Sequence, residues 1–266
     1  MKLLSIDVGI KNLAYCLLET TGAAAPLEQV KILKWDVINL CGPPPMCSAC
    51  TKPAKFAQTS TFYCTAHAKK SGLLLPTGTI SLKKIKKMKV SDLQQVITDY
   101  SIPSSAVKKD DILKDVLGFI EQKMLISVAA AKANDMDLIQ IGIAMRKALD
   151  EELKDHLSTL THIVIENQIS PIANRMKTLQ GMIAQYFIMH NKTQIVFVSA
   201  ANKLKGHQDI ETDTTTYAAR KKEGIKCTLK LIGERYPDWL SHFTQHKKKD
   251  DLADAFLQGN WYLNKN

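Results

Sequence analysis

Three short apolar runs open the chain: residues 2–8 (KLLSIDV), 13–19 (LAYCLLE) and 29–37 (QVKILKWDV). With short turns between them they predict three antiparallel strands in a meander. The pattern then breaks. Residues 41–72 hold Cys, Pro and His with little periodicity, and 83–89 (KKIKKMK) is a basic run. Two helical segments follow, VSDLQQVITDY and KDDILKDVLGFIEQK, joined at IPSSAV. Ser91 and Lys109-Asp110 stand where helices start. From about residue 127 to Leu160 the spacing is helical, with Ile139, Ile143 and the stretch from Met145 to Leu149 apolar and 150–155 solvated. A buried strand is predicted at 162–166 (HIVIE), then an amphipathic helix at 173–190. Its apolar positions Met176, Leu179, Met182, Ile183, Tyr186 and Phe187 recur at three and four. A strand at 194–199 (QIVFVS), a helix at 214–235 and a last helix at 249–263 complete a β-β-β-α-β-α-β-α order. A long insertion follows the third strand, and there is no internal repeat.

The length of 266 residues is ample for a core without disulfide staples. A hydrophobic fraction of 45% and a charged fraction of 23% exclude a wholly disordered or collagen-like chain. No apolar run approaches the roughly 20 residues of a membrane helix. Asp7 and Lys11 interrupt the first apolar stretch, unlike a signal peptide, and no Arg/Ser-rich leader points to mitochondrial import. The expectation is a soluble intracellular protein with no membrane partner. Lys and Arg outnumber acids 36 to 26, a net charge of +10. That excess suits an anionic partner, nucleic acid being the commonest, although charge for solubility alone is the plain alternative.

Several carboxylates stand beside apolar segments. Asp7 ends the first strand, ahead of Gly9, Lys11 and Asn12, and Glu166 ends HIVIE. An acid there is costly to bury unless paired or metal-bound. Asp251 and Asp254 lie three apart on the last helix and share a face, and Asp250 competes with Asp251 for that role. Hard oxygen ligands so clustered suit Mg²⁺ or Mn²⁺, and two such ions suit phosphodiester cleavage. Taken one by one, these residues fit loop-capping or solvated acids equally well. Asp7-Val-Gly9-Ile-Lys11-Asn12 also looks like the first phosphate loop of actin-like ATPases. The further glycine-rich loops such a fold needs are missing.

Asp7 to Asn12, Ile165-Glu166-Asn167-Gln168, Arg175 to Phe187 and Lys248-Lys249-Asp250-Asp251-Leu252-Ala253-Asp254-Ala255 come in an order that resembles the Holliday junction resolvases. The resemblance is to the poxvirus and large-DNA-virus and fungal mitochondrial groups, in the RuvC-like branch of the RNase H-like superfamily. It covers residues 1–40 and about 135–262. It implies an α/β RNase H-like fold, a mixed five-stranded sheet flanked by helices, over 1–40 and 127–266. It implies a homodimer that resolves four-way DNA junctions by paired symmetric cuts with Mg²⁺ (or Mn²⁺). The implied acidic set is Asp7, Glu166, Asp251 and Asp254. Lys248 and Lys249 would contact the scissile phosphate and Lys11 other DNA, while Arg175 and Lys177 fit either a DNA contact or a solvated face. The helix after Glu166 matches a dimer-interface helix, and its apolar stripe is equally well core.

The insertion departs from the simplest family pattern. Cys47-x₂-Cys50 and Cys64-x₂-His67 have zinc-ribbon spacing, and thiolates with imidazole favour a structural Zn²⁺ within 41–82. Cys41 is a reserve ligand. Residues 88–120 resemble a SAP-type helix–extended turn–helix module, so 83–123 is expected to be a small helical DNA-binding module, a helical hairpin packed on the core being the plain alternative. Lys84, Lys86 and Lys87, with Lys83 and Lys89, suit phosphate contacts. Two rival readings remain: an RNase H-like nuclease for flaps or RNA–DNA hybrids, and a non-catalytic zinc and SAP DNA-binding protein.

Overall fold

A computed structural model describes residues 1–20, 30–77, 80, 82–128, 136–169, 174–192, 194–205 and 216–265, without the side chains of Leu82 and Lys83. It divides into two units, Met1–Gly42 with Lys132–Asn266, and Pro43–Ala131. In chain order the first elements are β1 (Lys2–Asp7), β2 (Asn12–Thr20) and β3 (Val30–Asn39). Within the second unit lie β4 (Phe56–Gln58), β5 (Thr61–Tyr63), α1 (Thr65–Lys70), α2 (Leu82–Ile85), α3 (Val90–Asp99), α4 (Lys109–Lys123) and β6 (Ile126–Ser127). The first unit resumes with α5 (Leu138–Leu153), β7 (His162–Glu166), α6 (Asn174–Met189), β8 (Gln194–Val198), α7 (Tyr217–Arg235), α8 (Leu240–Gln245) and α9 (Lys249–Lys265).

The first unit is built on a mixed five-stranded sheet in the order β3-β2-β1-β7-β8. The three N-terminal strands run antiparallel, while β7 and β8 run parallel to β1. Strand alternation assigns the faces. Leu4, Ile6, Ile163 and Ile165 pack into a core with Ile141, Met145 and Leu149 of α5 and Leu179, Ile183 and Phe187 of α6. Leu3 and Val164 face the other way, onto Cys227, Leu231 and Ile232 of α7, Phe243 of α8 and Leu252, Phe256 and Leu257 of α9. Each such buried aliphatic side chain contributes ~1.5–3 kcal/mol. By the same alternation Asp7 and Glu166 belong to the α9 side.

Helix α9 lies close against the sheet. A Cβ on Gly259 would come within 2.9 Å of Leu18 Cδ1 and 3.0 Å of Ser5 Cβ. Gln258, fully buried, donates through Nε2 to Ser5 Oγ (3.1 Å), the Ile6 carbonyl (3.1 Å) and the Val164 carbonyl (3.3 Å). Trp35 Nε1 donates to the Leu252 carbonyl at 2.9 Å and its ring stacks on Phe243. These contacts fix the depth and rotation of α9, and Asp254 sits one turn before Gln258 on the same stripe.

The helical spacing expected from about 127 to Leu160 resolves differently. Ile126 and Ser127 pair with β4 instead. Helix α5 starts only after Asp137, whose carboxylate accepts from the Gln140 N–H at 2.7 Å as an N-cap. Past Leu153 the chain tightens into turns, His156 N to the Leu153 carbonyl and Thr159 N to the His156 carbonyl, and so reaches β7.

In the second unit β5, β4 and β6 form a small antiparallel sheet. Helices α3 and α4 close on their own core of Leu93, Val96, Ile102, Ile112, Val116 and Ile120, joined by Ile80 and Ile85.

Candidate active site

Asp7 and Glu166 stand at the C-terminal ends of adjacent parallel strands, Ile6 opposite Ile165. The turn after Asp7 is tight: a Cβ on Gly9 would lie 2.2 Å from the Asn12 carbonyl oxygen, so only glycine fits. Strand β8 lies next to β7, and its C-terminal end leads through a 3₁₀ turn at Ala200–Asn202 to Lys203. Lys203 Nζ lies 3.0 Å from Asp7 Oδ1, 3.2 Å from Glu166 Oε1 and 3.2 Å from Asp254 Oδ2. Its side chain is 6% exposed, against 13% for Asp7 and Glu166 and 31% for Asp254. Three elements of the sheet and one helix thus bring three carboxylates around one buried ammonium.

The charges at this centre do not balance. With all three carboxylates ionised, one ammonium would leave a net charge of −2. Burial pushes Glu166 up to about 8, the Asp7 charge adds to the rise, and Lys203 offsets only part of it. Burial likewise raises Asp254 to about 6, with Lys203 opposing and Asp7 adding. For Lys203 burial favours the neutral amine, yet Asp7, Asp254 and Glu166 outweigh it and hold the ammonium charged. A compact set of hard oxygen donors whose mutual repulsion is relieved only by added positive charge fits a divalent cation.

Asp250 and Asp251 differ in partner. The Lys221 ammonium of α7 pairs with Asp250. Burial works against the Asp250 carboxylate, but Lys221 outweighs it and leaves its pKa below the ordinary value. Asp251 is held more loosely, 3.6 Å from Lys248 Nζ and 4.0 Å from Lys221 Nζ. Burial and then the Asp250 charge raise its pKa, and Asp7 adds to the rise. Asp251 therefore shares the field of the acidic cluster while Asp250 is neutralised beside it.

Glu166 is also oriented from α6. The Gln168 amide donates to Glu166 Oε2 at 2.9 Å, and the Gln168 backbone N–H donates to Oε1 of buried Gln180 at 2.8 Å. One carboxylate oxygen thus faces Lys203 and the other is held by the loop that α6 anchors.

The expected DNA contacts are scattered by comparison. Lys11, Lys177 and Lys248 are exposed and Lys249 is half-buried. Arg175 is half-buried and donates to the Met136 carbonyl. In the second unit Lys84, Lys86 and Lys87 are exposed on α2 and the turn after it, and Lys83 lies outside the described side chains. The α6 stripe is spent mostly on the core, where Leu179, Ile183, Tyr186 and Phe187 are buried.

The second unit gathers the Cys/His set. Cys47 Sγ lies 3.3 Å from His67 Nδ1, Cys64 Sγ 3.5 Å from the same nitrogen, and Cys50 Sγ 3.8 Å from Cys64 Sγ. All four ligand atoms lie within 4.8 Å of one another. Cys64 precedes α1, so His67 falls one turn in, and Cys47 and Cys50 share a turn closed by Cys50 N–H to the Cys47 carbonyl. Burial raises the Cys47 thiol, but backbone N–H groups of Cys64 and Ala49, with His67, bring it down to about 6. A thiol poised near the thiolate is what a zinc ligand requires. Cys41 belongs to the other unit.

A family model described as mitochondrial resolvase Ydc2 / RNA splicing MRS1 matches residues 3–183, more than half of the chain. The chain belongs to this resolvase family. The resolvase is therefore a nuclease of the Holliday junction class, acting on four-way DNA, and divalent-metal dependence is general for the family. It is 25% identical to the uncharacterized protein L451 of Acanthamoeba polyphaga mimivirus, over 99% of this chain and 74% of that one. Among solved structures it is similar to the fowlpox virus resolvase in complex with Holliday junction DNA. That match has 12% identity, covers 100% of this chain and 98% of that one, and has a TM-score of 0.44. It is also similar to RuvC of Thermus thermophilus (9%, 100% and 96%, TM-score 0.45). The yeast mitochondrial Holliday junction resolvase Ydc2 is a third such structure (13%, 98% and 77%, TM-score 0.43). Among the resolvase's described residues, no helix is long and apolar enough to cross a membrane.

Sequence reasoning did not find Lys203, the residue at the centre of the resolvase's acids. Its one signal was position, a lysine just past the strand QIVFVS that neighbours HIVIE. Lys221 and Gln180 were likewise invisible, because their roles depend on how α6, α7 and α9 pack, and Gln168 stood in a motif without its hold on Glu166 being evident.

Proposed function

We propose that this resolvase cuts four-way DNA junctions by paired, symmetric hydrolysis with Asp7, Glu166, Asp251 and Asp254 holding Mg²⁺ or Mn²⁺. The convergence of Asp7, Glu166 and Asp254 on Lys203 carries this reading. A binding protein has no use for a buried anionic cluster facing DNA phosphates. When bound, a divalent cation supplies Lewis acidity at the scissile phosphate. The chain's own residues do the rest. Lys203, kept protonated by its three partners, holds the carboxylates together and supplies a fixed positive charge; it cannot act as a base. Gln168, set by Gln180, aims one oxygen of Glu166. Lys248 and Lys249, just ahead of the acids on α9, contact the phosphate that is cut. Water attacks phosphorus, the bond to the 3′-oxygen breaks, and the products are a 5′-phosphate and a 3′-hydroxyl, ligatable after symmetric cutting.

The remaining parts of the reading concern binding and assembly. Cys47, Cys50, Cys64 and His67 hold a structural zinc, since three thiols and an imidazole leave no position open for chemistry. Lys84, Lys86 and Lys87 near the helical pair add affinity for phosphate, and Lys11, Arg175 and Lys177 contact DNA from the nuclease unit. Two copies assemble to make paired cuts. Kinship with a mimivirus protein suits a role at sites of viral DNA replication.

The test is a labelled mobile four-way junction, a flap and an RNA–DNA hybrid, each incubated with the protein and Mg²⁺ or EDTA. Paired nicks in the junction alone, lost in EDTA, are expected. Preferential cutting of the flap or the hybrid would instead make it a nuclease for another substrate. Junction binding without cutting in Mg²⁺ or Mn²⁺ would leave only the binding role.

A further inference from the structure

Tyr217 is the first residue of α7 and is 68% exposed. It fills no core, and a large aromatic on the surface invites a functional reading only where its neighbours point to a ligand. Here they do. Lys221 Nζ stands 5.1 Å from the centroid of the Tyr217 ring. That ammonium is itself fixed, paired with Asp250 and 4.0 Å from Asp251 Oδ1. The ring is therefore tethered through one cation to the acidic residues that open α9. Arg220 and Lys222 beside it are exposed and basic.

We propose that Tyr217 is a stacking platform for a nucleobase of the strand presented to the acidic site, at the junction crossover. The proposal rests on the nuclease reading above and adds to it a residue that selects the substrate. Lys221 holds the ring by a cation–π contact, and a π face accepts any base, so the contact is tolerant of sequence. Arg220 and Lys222 draw the adjoining phosphates. Lifting a base out of its stack costs a few kcal/mol in an intact duplex and less where pairing is already broken, as at a crossover. A ring at the edge of the acids thus favours a junction over plain duplex.

The experiment places 2-aminopurine in turn at each nucleotide flanking the crossover and reads its fluorescence in complexes formed in EDTA. Junction and duplex affinities are measured alongside, for the wild type, Tyr217→Phe and Tyr217→Leu. At one position next to the crossover, the wild type and Tyr217→Phe should quench the probe, and Tyr217→Leu should leave it bright. Junction affinity of Tyr217→Leu should fall about 5- to 150-fold, the range of ~1–3 kcal/mol for one base–aromatic stack, with duplex affinity unchanged. Thermal unfolding of both variants should match the wild type, because the side chain is exposed. Equal fluorescence at every position with equal junction affinity would overturn the proposal, as would equal weakening on junction and duplex. A wild type that quenches the probe but never cuts in Mg²⁺ or Mn²⁺ would sink the nuclease reading and leave this one standing.

Discussion

Replacing Lys203 with Met keeps the length and packing of the side chain and removes its charge from among three carboxylates. Each contact of about 3 Å is worth ~5 kcal/mol at an effective dielectric near 20. That gross attraction is offset by the several kcal/mol of burying each ion, and by proton uptake on the acids left behind. The net loss should be ~3–5 kcal/mol, the usual result of breaking a buried pair from one side. For a unit of this size that is roughly 6–20 °C in Tm. The loss should also depend on pH. Glu166 titrates near 8 in the folded chain, above its ordinary value, and Asp254 near 6. An acid raised on folding binds its proton more tightly in the native state. Its contribution to stability is therefore present at low pH and is lost as pH rises through its folded pKa. Without Lys203 both acids rise further, so Lys203→Met should be far less stable at pH 8 than at pH 6. Mg²⁺ should restore more stability to the variant at pH 8 than to the wild type. Urea unfolding at pH 6 and 8, with Mg²⁺ or EDTA, measures all of this. A variant as stable as the wild type at both pH values, or one whose loss is the same with and without Mg²⁺, would refute the reasoning.

Three further outcomes follow from the same geometry. Asp251→Asn should abolish junction cutting while Asp250→Asn keeps most of it, because Lys221 neutralises Asp250; the reverse order in single-turnover rates would reassign the ligand. Protein purified without chelator should carry one zinc per chain by metal analysis. Cys64→Ser should lose it and unfold residues 43–131 first, as read by hydrogen exchange; a metal-free wild type would refute the site. Changing Lys84, Lys86 and Lys87 to Ala should weaken binding to junction and duplex alike and flatten the slope of log K against log salt by up to about 2–3 units. An unchanged slope would make them a solvated face.

The sheet and the strand-end acids were legible because their signals are local. An apolar run that stops on a carboxylate, as KLLSID and HIVIE do, states both the strand and the place of its acid within six residues. The three-residue spacing of Asp251 and Asp254 is equally local. What escaped was non-local. Lys203 sits in a stretch that reads as an ordinary polar loop, and its meaning comes from β8 lying beside β7. The chain from about residue 127 reads as helical, yet Ser127, with Ile126 before it, is paired with Phe56 and Ala57 of β4, which lie far earlier in the chain. The hairpin β4–β5 has only three residues in each strand, none of them buried, so no hydrophobic period announced it. What distinguishes Asp250 from Asp251 was not visible in α9 alone, because the Lys221 that pairs with Asp250 stands on α7.

The central claim is that a carboxylate cluster performs chemistry while other residues bind the junction. The measurement that tests it most directly compares Asp7→Asn with the wild type for both junction affinity and single-turnover cutting in Mg²⁺. Asp7 supplies one of the three carboxylates around Lys203, and asparagine keeps its shape. Cutting should become undetectable while the dissociation constant for the junction stays within a few-fold of the wild-type value. Near-normal cutting by Asp7→Asn would contradict the account.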